Sequence, residues 1–327
     1  MLHFGTDRAC ALTIVPTFDA SVTGDPNALT LEADFNTAIA VYQSLYTDNI
    51  TVSILFRYAT TAPNGSALSS GTLARSNYVI YSQNYATYIN ALTNDSKSAN
   101  DATAVAHLPT AATVPTTPTK IDVSSANGRA VGLNTQGTMD ATSGVGTGSF
   151  DGIVTVNSSQ PFQLTRTGGI SGTKYDIEQS IEHEIDEVLG LGSVLPNSTD
   201  FTGNVAVKPE DLFRYSAAGT LSLTTSGSAT SYLSIDGGTT NLASFNQNST
   251  GDYGDWGASA QPLVQLAFSF KGTQSDVSAT SPEGVALDVV GYDLAPEPTA
   301  LTLLAAGMAF IGCRRRRSGN GVAGAID

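Results

Sequence analysis

The composition of this 327-residue chain excludes several classes of protein. Hydrophobic residues make up 41% and charged residues only 13%, which fits neither a disordered chain nor a polytopic membrane protein. A surface with so few charges is typical of an exported protein. Fifteen lysines and arginines against 29 aspartates and glutamates give a net charge of −14, which argues against binding to nucleic acid or to anionic lipid.

Hydrophobic periodicity and turn residues predict the secondary structure. In chain order, the predicted elements are a helix from Asp25 to about Tyr46, a strand over 50–58, a helix over 85–92, an extended loop over 108–120, a strand over 150–156, a helix over 175–189, β-structure over 211–215 and 232–235, and a helix from Ser281 to Gly291. The chain contains no internal repeat and no long linker. These elements predict one α+β domain over residues 12–294, preceded by residues 1–11 and followed by residues 295–327.

The C-terminal segment combines three features in a fixed order. Pro296-Glu297-Pro298 is followed by an apolar run from Ala300 to Cys313 and then by arginines 314–317. The run is shorter than the roughly 20 residues that span a bilayer comfortably, and the arginines are expected to stay cytoplasmic. This order resembles the PEP-CTERM sorting signal of Gram-negative bacteria, whose tail is processed by a membrane enzyme called an exosortase. The alternative is a plain tail anchor.

The sorting signal implies export, a transient membrane association, and a final place at the cell surface, in the outer envelope or in the extracellular matrix. Ala9-Cys10-Ala11 has the small-x-small pattern of a signal-peptidase site, although no apolar segment precedes it. We therefore expect residues 1–11 to be the remnant of a signal peptide that begins upstream. The alternative is an ordinary disordered start.

Cysteine and histidine are both scarce in this chain. The two cysteines, Cys10 and Cys313, lie near opposite ends, which excludes a disulfide framework and a cysteine-ligated metal site. The histidines are His3, His107 and His183, so a site of three clustered histidines is not expected.

The segment HEIDEVLG, residues 183–190, is the stretch whose spacing suits metal ligands. On a helix, His183 and Glu187 lie four residues apart on one side, opposite an apolar stripe. Such a pair can hold one metal ion, and Glu184 lies about 100° further round the helix, within reach of a metal-activated water. This is the arrangement of the zincin HExxH motif, with Glu187 in place of the second histidine.

The motif and its surroundings resemble a known family. HEIDEVLGLGS follows the metzincin pattern HExxHxxGxxH at His183, Glu184 and Gly190, and the order of helices and strands is similar to that of a metzincin zinc peptidase. The chain also resembles PEP-CTERM-tailed bacterial proteins assigned as metalloproteases. They share the stretches HEIDEVLG, DLFRYS, SIDGG and GDYGDW, which stand here at 183–190, 211–216, 234–238 and 251–256.

The resemblance covers most of residues 12–294. It implies a zincin domain with a twisted mixed sheet and an active-site helix. It also implies zinc ligands at His183 and Glu187, with Glu184 as general base.

The ligand set that the resemblance implies is incomplete. Ser193 stands at the position of the third metzincin ligand, and a serine hydroxyl is a poor zinc ligand. The Met-turn is missing as well, because no methionine lies between the motif helix and the tail. A third ligand must come from elsewhere, and Asp211 and Asp200 are the candidates. His107, at a predicted helix end, is interpreted as a solvated or capping histidine.

Other acidic features have simpler interpretations beside the functional ones. Without a metal, the acids of the motif helix would form a solvated face. The loops at Asp236-Gly237-Gly238 and Asp252–Trp256 combine carboxylates with glycines, which suits Ca²⁺, although turn chemistry alone also explains them. Trp256 is interpreted as a buried anchor in preference to a substrate platform.

Two functions of different class therefore remain open. The first is an exported, surface-sorted zinc metalloendopeptidase with an undefined peptide or protein substrate and Glu184 as general base. The second is a catalytically inactive surface or matrix protein that keeps the peptidase fold for binding. A calcium-stabilised scaffold is a third possibility.

Overall fold

The computed structural model describes residues 11–296 of the chain. In chain order, its strands are β1 (Thr13–Phe18), β2 (Thr51–Tyr58), β3 (Ala74–Tyr78), β4 (Ile80–Asn84), β5 (Lys120–Ser124), β6 (Gly152–Val156), β7 (Phe162–Gln163), β8 (Tyr175–Asp176), β9 (Ala206–Val207), β10 (Arg214–Ala217), β11 (Thr220–Leu221), β12 (Tyr232–Leu233) and β13 (Ala243–Ser244). Its α-helices are α1 (Ala20–Thr23), α2 (Ala28–Leu45), α3 (Tyr85–Asp95), α4 (Ala99–Val105), α5 (Ser125–Ala130), α6 (Ile177–Leu189) and α7 (Pro282–Val289). The α+β class predicted from the sequence is confirmed.

The sheet with the longest strands is a mixed four-stranded sheet in the order β1-β2-β6-β3. Strands β1, β2 and β6 are parallel, whereas β3 is antiparallel to β6 and forms an edge. Val52, Ile54 and Phe56 of β2 alternate into the main core, as the sequence predicts. Helices α2 and α6 pack on each other, and α6 also packs against β3 and β6. The motif helix therefore lies beside the edge strand.

The described chain contains three further sheets. One has the order β4-β5-β9, a second pairs β7 with β8, and a third has the order β11-β10-β12-β13. The strand predicted over 211–215 is wrong in its first half, because Pro209–Phe213 forms a 3₁₀ helix and β10 begins at Arg214. Proline at the start favours this turn, and the Asp211 carboxylate accepts a hydrogen bond from the Lys208 amide at 2.9 Å.

The C-terminal end of the domain is paired with the segment that follows α2. Tyr46, after α2, forms a β-bridge with Leu294, and residues 11–294 belong to one compact unit. No helix between residues 11 and 296 is long and apolar enough to cross a membrane. The predicted signal remnant up to Cys10, and the tail from Glu297 onward, lie outside the described residues and stay predictions.

Candidate metal centre

Helix α6 carries the HEIDEVLG motif and begins and ends at capping residues. The Asp176 side chain accepts a hydrogen bond from the Glu178 amide, and the helix ends at Gly190, whose φ is 131°. A side chain at Gly190 would also collide with Asn127, because a Cβ there would lie 2.8 Å from the Asn127 Cβ. Glycine at this position therefore allows both the backbone conformation and the close packing.

The acids of α6 do not form a solvated face. Glu182 and Asp186 are both 0% exposed, and Glu178 and Glu184 are also buried. The Tyr42 hydroxyl donates to Asp186 Oδ1 at 2.8 Å, and the Val277 amide donates to Glu182 Oε2 at 2.7 Å. The solvated-face interpretation is therefore wrong, because two of these carboxylates join α6 to α2 and to the loop before α7.

The structure brings three potential metal ligands together. His183, Glu187 and Asp255 each offer one ligand atom, and these atoms lie within 4.8 Å of one another. His183 Nε2 is 3.9 Å from Glu187 Oε1 and 3.7 Å from Asp255 Oδ1. Two of the three come from the predicted motif, and the third comes from the GDYGDW stretch. This group can hold a metal ion.

His183 is oriented by a hydrogen bond on its other ring nitrogen. Nδ1 lies 3.1 Å from the Val264 carbonyl oxygen, which can only accept, so the proton stands on Nδ1 and Nε2 faces the two carboxylates. Burial alone would lower the pKa of His183. The neighbouring Asp255 and Glu187 carboxylates outweigh burial, and the pKa stands above its usual value. The bond from Nδ1 to Val264 fixes the tautomer of the neutral ring that leaves Nε2 for a metal, and a cation there would take the place of the proton that the two carboxylates favour.

Both carboxylates of the group are also oriented by neighbours. The Ser76 hydroxyl of β3 donates to Glu187 Oε2, and the Gln265 amide nitrogen donates to Asp255 Oδ1 at 3.1 Å. The loop that carries Asp255 is held by Arg214, which is fully buried and donates to the Tyr253 carbonyl at 2.5 Å. The DLFRYS stretch thereby supports the GDYGDW stretch.

Glu184 lines the same cavity as the three potential ligands. Its Oε2 is buried and has no hydrogen-bond partner among residues 11–296. Burial, followed by the adjacent Glu187, raises the pKa of Glu184 well above its usual range. A divalent cation on one imidazole and two carboxylates would offset this excess of negative charge, so the donor set fits a metal.

The cavity in front of these residues is large enough for a peptide segment. It measures about 930 Å³ and is bounded by β3, α6 and the loops 249–255 and 266–269. Arg75, Ser76 and Tyr78 of β3 form part of its wall. Ligand sites are commonly concave pockets of this size.

Asp211, predicted as the third ligand, lies outside the group of potential ligands, and the third potential ligand in the structure is Asp255. The carboxylate oxygens of Asp211 accept bonds from the Ser193 hydroxyl at 2.6 Å and from the Val194 amide at 3.0 Å. They therefore fix the loop after α6. Asp200, the other candidate, accepts bonds from the Thr202 amide at 2.9 Å and the Asn204 amide at 2.8 Å within its own turn.

The remaining predicted features lie where simple chemistry explains them. His107 is exposed just beyond α4, and its Nδ1 bonds the Thr103 carbonyl. Asp236 accepts bonds from the Ser234 hydroxyl and from the amide and hydroxyl of Thr240, so its carboxylate serves its own turn. Trp256 is 1% exposed, which confirms the buried anchor.

Comparisons with protein-family models, with curated proteins and with solved structures found no match to the chain.

Proposed function

We propose that this protein is an exported zinc metallopeptidase. The observation that supports the proposal is the convergence of His183, Glu187 and Asp255 on one cavity that Glu184 also lines. One imidazole nitrogen and two carboxylate oxygens suit zinc. When bound, zinc supplies Lewis acidity and lowers the pKa of water at the site.

The chain itself supplies the proton transfers of peptide hydrolysis. Glu184 follows the ligand His183 directly in α6, and its carboxylate lies at the wall of the cavity. In this position it takes the proton of the attacking water and passes it to the leaving amine. Glu184 is the general base in this proposal.

The edge strand β3 supplies the surface for an extended peptide. In the described part of the chain β3 pairs with β6 alone, and residues 73–76 line the cavity. A peptide that adds to this edge would run past Glu187, because Ser76 of β3 touches that carboxylate. The proposed substrate is therefore a peptide or an extended protein segment.

The proposed location follows from the C-terminal resemblance. The protein would be exported, associate transiently with the inner membrane, and be released to the cell surface after an exosortase-type enzyme removes the tail. Intact-mass measurement of the protein from its native host tests this part. A mature chain that still carries arginines 314–317 would contradict it.

Metal analysis with matched variants tests the peptidase proposal. We expect the purified full chain to hold near-stoichiometric zinc that a chelator removes, and His183→Ala to lose it. His107→Ala, which changes an exposed histidine that does not line the cavity, should keep it. Glu184→Gln should retain zinc and fold while hydrolysis of a peptide library falls by about two or more orders of magnitude.

Other results would support the other functions. Stoichiometric zinc without hydrolysis by the wild type would favour the catalytically inactive binding protein. Calcium-dependent melting without zinc would favour the calcium-stabilised scaffold. A wild-type protein that binds no zinc would overturn the peptidase proposal.

A further inference from the structure

Lys208 and Tyr78 form a hydrogen-bonded pair in the wall of the cavity. Lys208 Nζ donates to the Tyr78 hydroxyl at 2.6 Å, and the ammonium lies 5.1 Å from the centre of the Tyr78 ring. Both residues line the cavity that holds the potential metal ligands. They come from different elements, since Tyr78 ends β3 and Lys208 precedes the 3₁₀ helix.

Lys208 forms no ion pair within the described part of the chain. The Asp211 carboxylate, three residues further along the chain, accepts a hydrogen bond from the Lys208 backbone amide. An ammonium carries three N–H donors, and the Tyr78 hydroxyl uses one of them. Lys208 is therefore a cation with donors to spare in a cavity that the acids Glu184, Glu187 and Asp255 and a second cation, Arg75, also line.

The pair lies beside the potential metal ligands. Ser76 and Tyr78 are two residues apart on β3, so their side chains point to the same face, about 7 Å apart along the strand. Ser76 already contacts Glu187. Lys208 Nζ also lies over Gly192 in the loop that follows α6, since a Cβ at Gly192 would be 3.2 Å from it.

We propose that Lys208, held by Tyr78, binds the oxyanion that forms on the scissile carbonyl; this assignment rests on the proposed peptidase function. Water adds through its oxygen to the carbonyl carbon, Glu184 takes a water proton, and the C=O electron pair moves to the carbonyl oxygen. The negative charge stays on that oxygen, to which the Lys208 ammonium donates a hydrogen bond. The electron pair on the oxyanion then re-forms the C=O bond, the C–N bond breaks, and the leaving nitrogen takes the proton from Glu184.

The predicted signature is a defect in the transition state with the metal site intact. Loss of one oxyanion donor lowers kcat by about 10²- to 10³-fold. We expect Lys208→Met to lower kcat by this factor, with KM, zinc content and melting temperature kept. Lys208→Arg should restore part of the rate because it keeps the charge. Lys120→Met, a change at a lysine that bonds Asn84 outside the cavity, is the matched control.

A binding experiment gives a readout besides activity. The probe is a peptide whose scissile amide is replaced by a phosphonate, and its affinity is measured by calorimetry with zinc-loaded and with metal-free protein. Because the phosphonate carries the negative charge of the oxyanion, its affinity for Lys208→Met should fall by about 10-fold or more, while the matching amide peptide binds as before. Tyr78→Phe should show a smaller loss in the same direction.

The outcomes separate this inference from the proposed function. A Lys208→Met protein with wild-type kcat and phosphonate affinity overturns the inference and leaves the peptidase proposal intact. If the wild type holds no zinc and hydrolyses no peptide, the phosphonate affinity of the metal-free protein still tests whether Lys208 binds an anion. A weaker affinity in Lys208→Met supports an anion site, and equal or absent binding overturns it. If Lys208→Met does not fold, wild-type phosphonate affinity in Tyr78→Phe overturns the inference.

Discussion

Gly254 lies directly against Gly192, so the loop that carries Asp255 touches the loop that follows α6. A Cβ built on Gly254 would come 2.4 Å from the Gly192 Cα and 2.6 Å from the Ser193 amide nitrogen. Real side chains do not approach backbone atoms so closely. This contact sets the distance between Asp255 and the helix that carries His183 and Glu187.

A methyl group at Gly254 is therefore expected to push Asp255 away from the motif helix. We expect Gly254→Ala to lower zinc occupancy and to reduce the free energy of unfolding by about 1–3 kcal/mol, because neither contacting backbone can move freely. Elemental analysis and urea unfolding measure the two effects. Gly172→Ala is the control, since a Cβ there meets no atom within 4 Å. Normal zinc content in Gly254→Ala would show that the contact does not position Asp255.

Only part of this site could be predicted from the sequence. The buried face of β2 and the pairing of His183 with Glu187 follow from short-range periodicity, and both are confirmed. Asp255 could not be found in this way, because its position depends on the Gly192 contact and on the Arg214 bond to its loop. Its GDYGDW stretch was the available signal, but no local pattern joins that stretch to α6.

The burial of the α6 acids was also beyond prediction from periodicity. Acidic residues are normally exposed, and the apolar stripe of α6 indicates one buried face. Glu182 and Asp186 are buried because Val277 and Tyr42, distant in sequence, donate hydrogen bonds to them. Such partners appear only once the chain has folded.

The identity of the third ligand can be tested by comparing two aspartates. Loss of a residue that only hydrogen-bonds to a ligand typically lowers metal affinity by roughly 10- to 100-fold. We expect Asp255→Asn to lower zinc affinity by more than this, because it removes a ligand. Asp211→Asn should keep zinc affinity but lower the free energy of unfolding by about 1–2 kcal/mol, because it weakens the bonds to Ser193 and Val194. Competition with a chelator and urea unfolding distinguish the two. The reverse pattern would restore Asp211 as the third ligand.

Asp34 on α2 predicts a pH dependence of stability. Its Oδ2 is buried without a hydrogen-bond partner in the described chain, and burial, followed by Glu178 and Asp176, raises the pKa of Asp34 to about 7. The unfolded carboxyl has a pKa of about 3.9. At a pH between these two pKa values, the folded state holds a proton on Asp34 that the unfolded state has lost. The free energy of unfolding therefore falls as the pH rises through this range.

We therefore expect Asp34→Asn to be more stable than the wild type at about pH 8, by about 1–3 kcal/mol, and to lose this advantage towards about pH 4. Urea unfolding across this range measures the difference. Glu32→Gln, on the same helix and partly exposed, is the control. An advantage that stays constant with pH would show that Asp34 does not titrate in this way.

Trp256 is expected to stabilise the fold without binding substrate. Its indole nitrogen donates to Glu283 Oε1 at 3.1 Å, and its ring packs on Phe245 with the ring centres 5.1 Å apart. Trp256→Phe keeps an aromatic ring but loses this bond and some volume, so we expect a loss of about 1–3 kcal/mol. Zinc content and KM should stay unchanged, because the ring is covered on all sides.

A double-mutant cycle with Glu283→Gln tests the cause of that loss. If the indole bond to Glu283 stabilises the fold, the two changes should be less than additive, because either one removes the same interaction. Circular dichroism must follow the unfolding, since Trp256 is the sole tryptophan. A substrate platform would behave in the opposite way, with KM raised and stability kept in Trp256→Phe. Additive losses would instead show that packing against Phe245, and not the bond to Glu283, holds the tryptophan in place.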